Sequence, residues 1–266
     1  MRRLLIRPGA IGDCILALPA MESLRAEYTE VWTPTSVVPL IRFADRVRPI
    51  TSTRLDLLGL PGYDPPEALI DAIRAFDSIV SWYGANRPPL RECVQALDLP
   101  FRFFPALPPD DEAGHVIDYF LRQAGFPPGA IPKIACTASP GEMIVLHPFS
   151  GSAKKNWPLA EFRELARRIE APVEWCAGPE DRLDGALRIA NLFELGCRLA
   201  TASVYVGNDS GITHLAAAVG APVVALFGPT DPARWAPRGQ QVRVVKADMM
   251  EQIEVEEVLD AVRSLL

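Results

Sequence analysis

Along this chain, short apolar runs of strand length alternate with amphipathic stretches of helix length almost from end to end. A run of three to five apolar residues bounded by Gly, Pro, Asn or Asp is too short for a helix. It reads as a strand buried on both faces, and the amphipathic stretches that follow supply helices to cover it. The pattern predicts strands at 4–6 and 79–82, helices at 15–25 and 90–97, and a helix at 115–124. It resumes with strands at 143–147, 173–176, 204–206 and 223–227, and helices at 159–169, 187–199, 212–219 and 255–265. Strand, helix, strand in this order gives parallel sheets, so the fold class is α/β.

The rhythm breaks once. Residues 99–114, LPFRFFPALPPDDEAG, read as an irregular excursion, and 126–141 are rich in Pro and Gly. A domain boundary near residue 140 follows, with an N-terminal domain at 1–140 and a C-terminal domain at 141–266. A composition of 49% hydrophobic and 23% charged residues is enough to build two buried cores. The net charge of −6 argues against nucleic acid as a partner. Cys14, Cys93, Cys136, Cys176 and Cys197 are widely spaced with no CxxC pair, which reads as reduced thiols rather than a zinc site or a disulfide framework. The apolar run after Met1-Arg2-Arg3 ends at Arg7-Pro8, short of an export core, and the stretch 215–227 carries Gly220 and Pro222. A cytoplasmic protein without a membrane span is expected.

Three loops carry chemistry, each after a strand, at the edge where open parallel sheets bind ligands. The first is Arg7-Pro8-Gly9-Ala10-Ile11-Gly12-Asp13. Gly9 and Gly12 permit close backbone approach, but the spacing is neither the dinucleotide fingerprint nor a P-loop. Asp13 reads equally as a helix N-cap or as a general base at a crevice. The second loop, His147 to Pro158, gathers Ser150, Ser152, Lys154 and Lys155 ahead of a helix, a set suited to a phosphate. The third, Asn208-Asp209-Ser210-Gly211, opens a helix at Ile212 and places His214 in its first turn. Ser210, Gly211 and His214 offer donors to an anion at the positive end of the helix dipole. Asp209 either caps that helix or orients a lysine or a sugar hydroxyl.

Three blocks in this order carry a resemblance. They are Gly12-Asp13 with Leu16-Ala17-Leu18-Pro19; His147-Pro148 through Lys155-Asn156-Trp157-Pro158; and Gly207 through Ala217 with Phe227-Gly228-Pro229-Thr230-Asp231-Pro232. Together they resemble the ADP-heptose:lipopolysaccharide heptosyltransferases of glycosyltransferase family 9. The resemblance implies a GT-B fold, two Rossmann-like domains facing a central cleft, the C-terminal one for the nucleotide-sugar and the N-terminal one for the acceptor. It implies inverting transfer of a sugar, heptose, from an ADP-sugar to a hydroxyl of a saccharide or glycolipid such as lipopolysaccharide core, with no metal or other cofactor. Asp13 matches the catalytic base, and Lys155 the lysine near the donor phosphates. Asp209, Ser210, Gly211 and His214 match the diphosphate loop, and Glu180 or its neighbour Asp181 a ribose-binding acid. A glycolipid acceptor implies peripheral contact with the cytoplasmic face of the inner membrane. The competing readings are a catalytically idle nucleotide-sugar binder acting as a regulator, and a GT-B epimerase.

Overall fold

The computed structural model describes residues 1–137 and 141–266. The chain forms two compact units, one of residues 1–112 and 117–128, the other of residues 113–116 and 129–266. The boundary expected near residue 140 falls outside the described residues.

The N-terminal unit is a five-stranded parallel sheet of β1 (Arg2–Ile6), β2 (Tyr28–Thr33), β3 (Arg46–Pro49), β4 (Ser78–Ser81) and β5 (Phe101–Phe103), ordered β3-β2-β1-β4-β5. Its helices are α1 (Ile11–Ser23), α2 (Glu67–Arg74), α3 (Pro88–Ala96) and α4 (Val116–Ala124). Leu4, Ile6, Trp32 and Ile79 face one way from the sheet and pack against Leu69, Ile70 and Ile73 of α2 and Leu90 and Val94 of α3. The predicted irregular stretch 99–114 contains β5, and the helix expected at 15–25 starts four residues earlier, at Ile11.

The C-terminal unit is a second five-stranded parallel sheet of β6 (Ile144–His147), β7 (Val173–Trp175), β8 (Val204–Asn208), β9 (Val223–Phe227) and β10 (Val242–Lys246), ordered β10-β9-β8-β6-β7. Its helices are α5 (Leu159–Arg168), α6 (Leu192–Leu199), α7 (Gly211–Ala218), α8 (Pro232–Trp235) and α9 (Val255–Arg263). Alternate residues Ile144, Leu146, Val204, Val206, Val224 and Leu226 face α5 and α9, where Phe162, Leu165, Val258, Leu259 and Val262 complete a core. The three central strands are buried on both faces, which is why they read as unbroken apolar runs. The helix expected at 187–199 begins only at Leu192. Leu187 instead forms an isolated bridge with Cys176, its N–H donating to the Trp175 carbonyl and its own carbonyl accepting from Ala177 N–H.

Both units are therefore α/β with parallel sheets, as expected. Each sheet has one point where successive connections run to opposite sides, between β1 and β4 in the first and between β6 and β8 in the second. Loops leaving such neighbouring strand ends diverge and open a crevice. The three chemistry-bearing loops read from the sequence leave β1, β6 and β8 at that edge, and the candidate acids Glu180 and Asp181 follow β7.

Candidate functional site

In the C-terminal unit, the loops after β6, β8 and β9 converge on one carboxylate. Lys155 Nζ lies 2.6 Å from Asp209 Oδ2, and the Thr230 hydroxyl donates to the same oxygen at 2.7 Å. Asp209 is 7% exposed and the Lys155 side chain 33%, so the carboxylate sits below and the ammonium reaches the surface. The choice left open by the sequence is resolved: Asp209 orients a lysine, and the helix cap is Ser210. The Ser210 Oγ accepts from Thr213 N–H at 3.3 Å and lies 3.1 Å from Thr213 Oγ1. The cap leaves the Gly211 and Ile212 N–H groups at the partly exposed first turn of α7, where the helix dipole favours an anion. His214 is buried in the same turn.

Asn208, at the end of β8, ties this helix start to the loop after β6. Its Oδ1 accepts from Trp157 N–H at 3.1 Å and its Nδ2 donates to the Pro148 carbonyl at 2.9 Å, all in a buried setting. Trp157 is itself buried and donates through Nε1 to the Ile253 carbonyl at 2.9 Å. The tryptophan thus pins the loop and leaves Lys155 to face outward. Ser150 is engaged within the loop, its hydroxyl placed 2.7 Å from Asn156 Oδ1 and 2.9 Å from the Ser152 carbonyl. Ser152 is exposed. Of the two candidate acids after β7, Asp181 accepts from Gly178 N–H at 2.7 Å and holds the turn, whereas Glu180 is exposed.

Beneath the cluster, His147 ends β6 at 4% exposure, stacked at 6.4 Å on Tyr205, and its Nδ1 finds no hydrogen-bond partner among the described residues. Burial pulls its pKa down to about 4 against a smaller opposing effect of Asp181, so the ring is neutral. Burial raises the Tyr205 phenol, which lies 3.2 Å from Thr213 Oγ1.

In the N-terminal unit, Asp13 is the third residue of α1. Its Oδ2 accepts from Ala10 N–H at 3.1 Å, so one oxygen serves the helix start from inside the helix. Gly9 has φ +126°, and a Cβ there would lie 3.1 Å from the Asp13 carboxylate, so the turn requires glycine on both counts. Gly12 belongs to the first turn of α1 rather than to the loop. Behind the loop lies Arg7, 1% exposed, whose guanidinium donates to the Asp13 carbonyl at 3.0 Å and the Ala106 carbonyl at 3.1 Å. It lies 4.8 Å from the Phe120 ring centroid, and burial lowers its pKa.

Sequence reasoning did not single out Arg7, Asn208 or Thr230. Asn208 and Thr230 stood inside the quoted blocks, but nothing in the sequence shows that their side chains bridge separate loops. Arg7 opens the first loop in the sequence, which does not show that its side chain is buried behind that loop. Among the described residues, no group of three His, Cys, Asp or Glu side chains is placed to hold a metal ion, and no helix is long and apolar enough to cross a membrane.

Residues 132–261, nearly all of the C-terminal unit, match the family described as Glycosyltransferase family 9 (heptosyltransferase). Over these residues the chain is similar to glycosyltransferase family 9. Lipopolysaccharide heptosyltransferase 1 of Pseudomonas aeruginosa is 31% identical over 133 residues, 44% of this chain and 37% of that protein. Lipopolysaccharide heptosyltransferase 2 of Escherichia coli K12 is 37% identical over 35% of this chain and 32% of that protein. The aligned part thus spans about a third of these curated relatives. The fold likeness extends further. The E. coli heptosyltransferase WaaC with ADP superposes with a TM-score of 0.73 at 17% identity, covering 100% of both chains. A glycosyltransferase family 9 protein from Veillonella parvula gives 0.74 at 16% identity, over 99% of this chain and 96% of that one. At such identities the likeness is one of fold, and it bears out the GT-B class read from the sequence. The matched residues contain the whole Lys155–Asp209–Thr230 cluster and the α7 start, whereas Asp13 lies outside them.

Proposed function

We propose that this protein is an inverting glycosyltransferase that moves a heptose from an ADP-sugar to a hydroxyl of a saccharide or glycolipid acceptor of the lipopolysaccharide-core kind. The observation that carries the reading is the Lys155–Asp209–Thr230 cluster beside the open N–H groups of α7. A diphosphate is the ligand that such a lysine and helix start suit best. The relatives support the sugar and the base: they are named heptosyltransferases, and one solved neighbour is a heptosyltransferase with ADP-2-deoxy-2-fluoro heptose.

In this mechanism Asp13 takes the proton of the acceptor hydroxyl, using the carboxylate oxygen not bonded to Ala10. The acceptor oxygen attacks the anomeric carbon, the bond from that carbon to the β-phosphate oxygen breaks, and configuration inverts. ADP leaves with growing negative charge. Lys155 and the Gly211 and Ile212 N–H groups stabilise that charge, and preorganised donors of this kind contribute roughly 3 kcal/mol each. Asp209 keeps the ammonium in place before the donor arrives. His214 and the Ser150–Ser152 loop complete the donor site, Glu180 meets the ribose, and the chemistry needs no metal. A glycolipid acceptor places the protein at the cytoplasmic face of the inner membrane.

The test supplies ADP-heptose with a truncated lipopolysaccharide core and follows ADP release and acceptor mass. The reading predicts an acceptor heavier by one heptose with wild type and almost none with Asp13→Ala, which retains ADP affinity. ADP binding without turnover would favour a regulator. Donor conversion without an acceptor product would favour an epimerase.

A further inference from the structure

We infer that Cys136 and Cys197 form a dithiol–disulfide couple, a covalent modification site that fastens the segment entering the C-terminal unit to α6. The inference stands apart from the transferase reading. Cys197 Sγ lies 2.9 Å from Cys136 Sγ, and both residues are partly exposed. A disulfide bond is about 2.05 Å long, so closure asks for a movement of about 0.9 Å at flexible thiol ends.

The entry segment explains how the two thiols meet. Burial alternates along it: Pro132 and Ile134 are buried, Cys136 partly so, and Ile131, Lys133, Ala135 and Thr137 are exposed. This two-residue period turns Cys136 to the same side as Ile134. Ile134 N–H donates to the Ala218 carbonyl at the end of α7, which seats the segment on the helical layer of the unit. On α6, Cys197 follows Gly196, where a Cβ would lie 3.1 Å from Val219 and 3.3 Å from Leu215, so α6 and the α7 region approach closely. A bond from Cys136 to Cys197 therefore braces the layer whose other end is the α7 start. It would close a loop spanning 61 residues that holds β6, α5, β7 and the Lys155 and Glu180 loops.

The other cysteines do not compete. Cys14 and Cys176 are buried, and burial raises both thiols, Cys176 to about 12, which starves them of thiolate. Cys93 lies on α3 of the other unit. The reaction is exchange with a low-molecular-weight disulfide. One of the two thiolates attacks it, forming a mixed disulfide and releasing one thiol. The second thiolate attacks the mixed disulfide at the protein sulfur and releases the other thiol. The protein loses two protons and two electrons, and the small disulfide is reduced to two thiols.

The experiment equilibrates the purified full-length chain with glutathione over a range of reduced-to-oxidised ratios, alkylates the remaining thiols and maps peptides by mass spectrometry. The expected result is a peptide pair joined through Cys136 and Cys197, with Cys14, Cys93 and Cys176 alkylated. Oxidation should raise Tm by about 5–10 °C, as closing a loop of this length stabilises. It should also slow amide exchange over residues 130–137. Cys136→Ser and Cys197→Ser should each carry glutathione on the remaining thiol and show no rise in Tm. Two alkylated thiols at every ratio, stable glutathione adducts in wild type, or a bond to a different cysteine would overturn the inference. The wild-type peptide map decides even if a serine variant fails to fold.

Discussion

The two units share an architecture and differ in how much of their sheet-edge chemistry is already fixed. At the C-terminal crevice, side chains from separate loops are joined to one another: Lys155 and Thr230 to Asp209, and Asn208 to the Trp157 loop. At the N-terminal crevice, Asp13 has one backbone bond from Ala10, and the arginine behind it holds backbone carbonyls rather than side chains. Under the proposed function, the comparison points to a division of labour. Stabilising a diphosphate leaving group requires charges fixed before the reaction, because reorganising them during it is costly. A base that must meet a large acceptor needs only a placed carboxylate with one oxygen unspent. The family match follows the same line, covering the unit whose site is built from interlocked loops.

The largest expected effect sharpens this contrast at its two poles. Asp13→Ala should lower kcat by roughly 10²–10⁴-fold and leave ADP affinity within about twofold, measured by ADP release and calorimetry. Lys155→Ala should lower kcat by roughly 10²–10³-fold and weaken ADP as well, since it removes a donor used in both states. Equal effects of the two substitutions on ADP affinity would break the division.

Next in size is Asn208→Ala. It strands the buried Trp157 N–H and the Pro148 carbonyl, and should cost about 2–4 kcal/mol of stability in urea unfolding. A cost below 1 kcal/mol would mean that the interlocking of the C-terminal loops is not what holds them.

His147 gives the C-terminal unit a pH signature. Its folded pKa of about 4 lies below the ordinary histidine value, so between those values the unfolded chain binds the extra proton. Stability from this group is complete above about pH 6.5 and is lost as pH falls toward 4, on the order of 3 kcal/mol in all. His147→Phe should flatten that part of the stability curve. An unchanged acid slope would show that the ring is protonated in the folded protein.

Smallest is Ser210→Ala, which removes the α7 cap and should cost about 1 kcal/mol in stability. ADP affinity should change less than threefold, because the hydroxyl points to Thr213 and only the backbone is offered to the anion.

What the sequence revealed follows the same comparison. The central strands of the C-terminal sheet were legible because burial on both faces makes them continuous apolar runs; 223–227 came out with its bounds intact. β2 and β3 escaped. β2 places Thr29, Glu30 and Thr33 in the interior, Glu30 satisfied by Trp32 Nε1 at 2.8 Å, so its pattern looks polar. β3 is an edge strand reading RVRP, and β5 a three-residue strand just after Pro100. At the site, the residue types at the loop positions were legible: the hydroxyls, lysines and helix start that would suit an anion stand in the sequence itself. Partner choice was not. That Ser210 caps while Asp209 turns to Lys155, 54 residues away in sequence, depends on the strand order.

The most direct test of the central claim is a calorimetric titration of the purified chain with ADP, run in parallel on Lys155→Ala. The account predicts saturable one-site binding that the substitution weakens at least tenfold. No heat of binding with ADP, or an affinity indifferent to the loss of Lys155, would contradict the placing of a diphosphate at the α7 start.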